Sequence, residues 1–145
     1  MAVNAYNREV FEILEEFSKA KNKSERKDVL LKYKDVQAFK DVLRGTFDET
    51  LQFILPEGRP PFTPNKPESA PNSLTRLNRD FAYFVKGAAG DNMPKFKRET
   101  KFVQLLESIH PQDAEVVLNM VAKQAPVKYL TKKLVQEVFP NLIKE

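Results

Sequence analysis

The sequence predicts an all-α fold: one compact domain over residues 1–145, built of about seven short helices and carrying a proline-rich surface loop at 56–73. Three observations predict it. Apolar residues recur at i, i+3, i+4 and i+7 on both sides of that loop. No stretch alternates apolar and polar as a half-buried strand does. Six of the ten prolines fall in PEGRPPFTPNKPESAPNS, where missing N–H donors and a fixed φ block helix. The same stretch reads as a plain connection over the surface or as a recognition arm.

The first helix follows from Val10, Ile13, Leu14 and Phe17, with Glu12, Glu15 and Glu16 on the other faces. KNKS breaks it, and Ser24 is a plausible N-cap for a second helix carrying Val29, Leu30 and Tyr33. Asp35 is suited to cap a third, with Val36, Phe39, Val42 and Leu43 inward and Gly45 at its C-terminal end. TFDETLQFIL continues as a short helix or an extended piece. Helix resumes at Ser73 with Leu74, Leu77, Phe81 and Phe84 on one face, until KGAAGDNMPK interrupts it. From about Lys97 to Ile109 another helix buries Phe102, Leu105, Leu106 and Ile109. Pro111 fits the first turn of the next, where its missing N–H is not needed, and the positive helix end favours Asp113. Ala114, Val117, Leu118 and Val121 form that helix's apolar stripe. Thr131 caps the last helix, which buries Leu134, Val135 and Val138 and stops before Pro140.

Composition excludes several classes of chemistry. There is no cysteine, so disulfides, thiolate metal sites and cysteine nucleophiles are absent. The single histidine, His110, sits beside Pro111 as a helix-end residue with no triad partners and no metal-ligand spacing around it. Neither Gly-x-x-x-x-Gly-Lys, Gly-x-Gly-x-x-Gly nor Gly-x-Ser-x-Gly occurs. The acidic pairs Glu15/Glu16 and Asp48/Glu49 fall on solvated faces. The expectation is a protein without catalytic residues, metal or cofactor. No apolar run approaches the roughly 20 residues of a membrane span, and no signal-peptide core opens the chain. A cytoplasmic protein with no membrane partner is expected.

The net charge of +4 permits an anionic partner without demanding one. Residues 1–55 balance, with ten acidic and ten basic side chains, so the surplus lies beyond. Two stretches hold it. MPKFKRETK supplies Lys95, Lys97, Arg98 and Lys101 against Glu99. KQAPVKYLTKK supplies Lys123, Lys128, Lys132 and Lys133 with no acid. Lys132 and Lys133 lie in the first turn of the last helix, where the dipole disfavours cations. An anion held there by these lysines and the Thr131 hydroxyl would account for them, and so would an ordinary solvated surface.

FVQLLESIHPQDAEVVLNMVAKQAPVKYLTKKLVQEVFPNLI, residues 102–143, resembles the end of the N-terminal helical DNA-binding domain of ATP-dependent DNA ligases from T-even-like bacteriophages. The parts that carry the likeness are IHPQDAEVV and LVQEVFPNLI. VLLKYKDVQAFKDVLRGTFDETLQFIL and RDFAYFVKGAAGDN extend it over most of the chain, roughly residues 10–143, as does the layout of small stand-alone proteins of those phages. The likeness is one of apolar positions and turns. The sequence departs from the ligase pattern at APVKYLT, which lacks the ligase glycine, and at Asn141, where the ligases carry glycine. The ligase nucleophile motif Lys-x-Asp-Gly occurs nowhere.

The resemblance implies a non-catalytic module that holds the phosphate backbone of double-stranded DNA with little sequence preference, in the cytoplasm of an infected host. Lys128, Thr131, Lys132 and Lys133 are the first candidates; Lys86, Lys95, Lys97, Arg98 and Lys101 form a second set. The alternative is an adaptor or modulator that binds a phage or host replication or transcription protein through the same fold.

Overall fold

The computed structural model describes residues 8–56, 60–66 and 72–143; positions 57–59 and 67–71 of the proline-rich stretch lie outside them. The fold is all-α. In chain order the α-helices are α1 (Val10–Ser18), α2 (Lys23–Lys32), α3 (Gln37–Phe47), α4 (Leu74–Leu77), α5 (Lys95–Ser108), α6 (Pro111–Val121) and α7 (Lys132–Val138). Two 3-10 segments, Asn78–Phe84 and Ala89–Asn92, lie between α4 and α5.

The helix α6 is the hub. Helices α1, α3 and α5 pack against it, and α2 joins α1 to α7. The apolar stripes read from the sequence meet here: Val10, Ile13, Leu14 and Phe17 of α1, Phe39, Val42 and Leu43 of α3, and Phe102, Leu105 and Leu106 of α5 are all buried. Each such side chain contributes about 1.5–3 kcal/mol by leaving water, which sets the order of the helices far more firmly than helix propensity does. On α6 the stripe is rotated from its expected position. Val116 and Met120 are buried with Ala114 and Val117, whereas Leu118 and Val121 are half-buried. With α1, α3 and α5 on several sides, α6 buries more than one face.

Several local expectations are corrected. Asn22, not Ser24, caps α2; its Oδ1 accepts the Glu25 N–H at 2.9 Å, so the helix starts at Lys23 and Ser24 lies inside it. Asp35 does not cap α3. The N-cap is Val36, with no side-chain cap bond but a side chain buried to 2%. Gly45 does not end α3 either, since the helix continues to Phe47. A Cβ at Gly45 would stand 2.5 Å from Met120 Sδ and 2.7 Å from Met120 Cγ, so the glycine permits α3 and α6 to approach. Ser73, Pro111 and Thr131 take the helix-start roles expected of them: the Ser73 and Thr131 side chains accept the N–H groups of Thr75 and Leu134, and Pro111 opens α6.

TFDETLQFIL resolves into helix through Phe47 followed by extended chain. Ile54 N–H donates to Phe84 O at 2.6 Å and Lys86 N–H to Gln52 O at 2.8 Å, around a single antiparallel bridge between Phe53 and Val85. The described part of the proline-rich stretch is a surface connection tied to α5. Thr63 N–H donates to a Glu107 carboxylate oxygen at 2.8 Å, and the Asn65 amide donates to Glu107 O at 3.1 Å. No described helix is long and apolar enough to cross a membrane.

Candidate nucleic-acid interface

The last helix begins after a sharp turn. Leu130 is buried to 2% and anchors the chain, while its neighbour Tyr129 takes φ +69° and stands 55% exposed. That left-handed conformation costs a residue with a Cβ roughly 1–2 kcal/mol. Thr131 Oγ1 accepts the Leu134 N–H at 3.2 Å, so the end of this seven-residue helix caps itself. Any anion there must therefore be held chiefly by side chains.

Those side chains come from two helices. Because α2 packs on α7, Lys23, Arg26 and Lys27, spaced i, i+3 and i+4 on one face of α2, come up beside the α7 turn. The Arg26 guanidinium lies 4.0 Å from the Tyr129 ring centroid, and the Lys128 ammonium 5.1 Å from it. A cleft of about 180 Å³ opens between the helices, lined by Lys23, Arg26, Tyr129, Thr131, Lys133, Leu134 and Glu137. Glu137 is the carboxylate of this cleft. It lies 3.1 Å from Lys23 Nζ and 3.0 Å from Lys27 Nζ, and hydrogen bonds from Lys27 and then Lys23 hold its carboxyl below the usual range. Glu25 is turned to the start of α2, where it accepts the Lys21 N–H. Arg26, Lys128 and Lys133 make no ion pair among the described residues, so the cleft and its rim carry a positive surplus around an exposed ring.

The structure divides the lysines that the sequence grouped. Lys128, Thr131 and Lys133 belong to this face. Lys132, one position and about 100° from Lys133 on the helix, points the other way. Its Nζ lies 3.8 Å from Glu49, in a separate groove of about 970 Å³ floored by Phe47, Leu51, Phe53 and Leu118. Lys123 serves the fold: its Nζ donates to Asp48 O at 2.9 Å, and burial pushes its pKa down.

The second set lies on other elements. Lys86 follows the Phe53–Val85 bridge, and Lys95, Lys97, Arg98 and Lys101 are on α5, which packs on α6 and the 3-10 segment. Lys86, Lys95 and Lys97 are exposed, with Lys95 3.9 Å from Glu99. Lys101 lies 4.6 Å from the Tyr83 ring centroid. Arg98 departs from its expected role: it is only 9% exposed and donates to Met93 O at 3.1 Å, closing the turn before α5. Sequence reasoning missed Lys23, Arg26, Lys27 and Tyr129. Lys23, Arg26 and Lys27 lie in KNKSERK, whose first four residues read as a helix break; Tyr129 lies beside Lys128 in KQAPVKYLTKK, with no signal of its own.

His110 is a helix-end residue, as expected. Its Nδ1 accepts the Gln112 N–H at 3.0 Å and its ring stacks on Phe11 at 4.1 Å. Among the described residues no group of three His, Cys, Asp or Glu side chains is placed to hold a metal ion.

A comparison with curated proteins finds no match. One family model matches residues 13–126, ending just before Tyr129 and α7 and covering most of the chain. The chain thus belongs to a family described as "Family of unknown function (DUF6433)".

Proposed function

We propose that this protein is a non-catalytic module that holds the phosphate backbone of double-stranded DNA, with little sequence preference, through the α2–α7 face. The observation that carries this reading is the gathering of Lys23, Arg26, Lys27, Lys128 and Lys133 around one carboxylate and an exposed tyrosine. Lysine meets phosphate as a point charge and arginine as a fork, and neither contact reads sequence at the backbone. The likeness of residues 102–143 to the DNA-binding domain of phage DNA ligases supports the same reading, and a phage protein acting in the host cytoplasm is its setting.

Titration of labelled duplex at several salt concentrations tests it. Binding should weaken linearly in log salt, and Lys128→Glu with Lys133→Glu should remove most of it and flatten the slope by roughly 2. Lys132→Glu changes the net charge as much as Lys133→Glu does, but on the groove side. It should weaken binding far less. Equal losses from the two single variants would mean that net charge, and not this face, attracts the duplex; no salt-dependent binding by the wild type would sink the reading.

The absence of Lys-x-Asp-Gly and of phosphate loops leads to a second expectation. Incubation with radiolabelled ATP should leave the protein unlabelled. A covalent adenylate would refute the non-catalytic assignment.

The alternative, an adaptor for a replication or transcription protein, draws on the 970 Å³ groove and its apolar floor. It takes over if the wild type ignores duplex DNA at low salt.

A further inference from the structure

Tyr129 is placed at a cost. Its backbone is left-handed, a conformation that glycine or asparagine adopts more easily, and its ring fills no core. The next residue, Leu130, does the packing. The Arg26 guanidinium covers the ring at 4.0 Å and leaves the residue 55% exposed. An aromatic ring that carries the Arg26 guanidinium at 4.0 Å and the Lys128 ammonium at 5.1 Å, and is still more than half exposed, offers one thing that a duplex backbone does not use: a surface on which an unpaired base can stack in place of the lysine. Every base has a π-face, so such a platform is tolerant of sequence. The cations supply contacts for the phosphates on either side, as a single strand requires.

We propose that Tyr129 and Arg26 form a stacking platform for an unpaired nucleobase, so that the protein engages DNA preferentially where single strand adjoins duplex. The proposal rests on the reading of the α2–α7 face as a phosphate-binding surface. It adds a contact to the base, which charge alone does not provide.

The test compares three labelled probes at one salt concentration: a blunt duplex, the same duplex with a thymidine overhang, and the same duplex with an abasic overhang of equal length. The two overhangs carry equal charge, so any difference between them comes from the base. Wild-type protein should bind the thymidine overhang roughly 5- to 100-fold more tightly than the abasic one. Tyr129→Ala should erase that difference, and Tyr129→Phe should keep most of it. Alanine retains the Cβ and thus the backbone strain, and melting and circular dichroism check that the variant folds. Equal wild-type affinity for the two overhangs, with salt-dependent binding intact, overturns the stacking platform alone. Failure of all three probes to bind overturns the phosphate-binding reading and the platform with it. The wild-type comparison decides the matter even if Tyr129→Ala does not fold.

Discussion

Replacing Asp113 by asparagine should stabilise the protein, by an amount that grows as the pH rises from about 4 to about 8. Asp113 is fully buried at the start of α6, and its Oδ1 accepts the Phe11 N–H at 2.9 Å. Burial pushes its carboxyl up from 3.8 to about 8; the Phe11 N–H opposes this, and the nearby Glu9 and Glu12 carboxylates add to it. The folded protein therefore holds a proton there that the unfolded chain releases at neutral pH. Because the folded value is the higher one, stability from this group falls as pH rises from the unfolded value near 4 to the folded value near 8, and is level above. Asparagine keeps the acceptor for Phe11 and offers an N–H to the Glu9 carboxylate without any ionisation. The gain should be near zero at pH 4 and on the order of 2–5 kcal/mol at pH 8, or roughly 5–15 °C in melting temperature. Asp113→Ala, which strands the Phe11 N–H, should destabilise at every pH. Thermal melts of the three proteins across this range measure the effect. A wild-type-to-asparagine difference that does not change with pH would show that Asp113 is ionised in the fold.

A side chain at Gly45 should collide with α6 and disrupt its packing on α3. Its missing Cβ leaves room for the Met120 sulfur and Cγ, with Phe53 Cζ 3.2 Å away on another side. Met120 is fully buried and has nowhere to retreat without displacing its own neighbours. Alanine in place of a mid-helix glycine ordinarily gains up to about 1 kcal/mol of helix propensity, which would partly offset the collision. Valine adds two methyls to that collision and loses most of the propensity gain. Gly45→Val should therefore cost about 1–3 kcal/mol or more by overpacking. Met120→Ala alone should cost about 2–5 kcal/mol by opening a cavity. Together the two should recover part of each loss, with a coupling of roughly 0.5–3 kcal/mol in urea melts. Strict additivity would mean that the two side chains do not compete for one space.

The division between sequence and tertiary structure follows the range of the forces involved. Local forces act within a turn or two, and these were legible. The stripes of α1, α3 and α5, Ser73 and Thr131 as caps, Pro111 opening α6 and the break at the prolines follow from the 3.6-residue period and from which residues supply or lack an N–H acceptor. At the start of α2 the cap is Asn22 and not the expected Ser24: its Oδ1 accepts the N–H of Glu25, three residues on.

Long-range packing decided the rest. The sequence places Asp113 favourably at a positive helix end, but α1 covers that end, and the cost of desolvating a charge outweighs the helix dipole. The sequence makes Gly45 a helix terminator, and only α6 passing alongside makes it a point of close approach. Lys132 and Lys133 are adjacent in the chain and diverge in space, because successive residues on a helix point about 100° apart and two different grooves flank α7. Arg26 lies about a hundred residues from Tyr129 and meets it because α2 packs on α7, which also brings Lys23 and Lys27 onto Glu137. Composition determined that a basic surplus exists; the pairing of α2 with α7 determined where it becomes a surface.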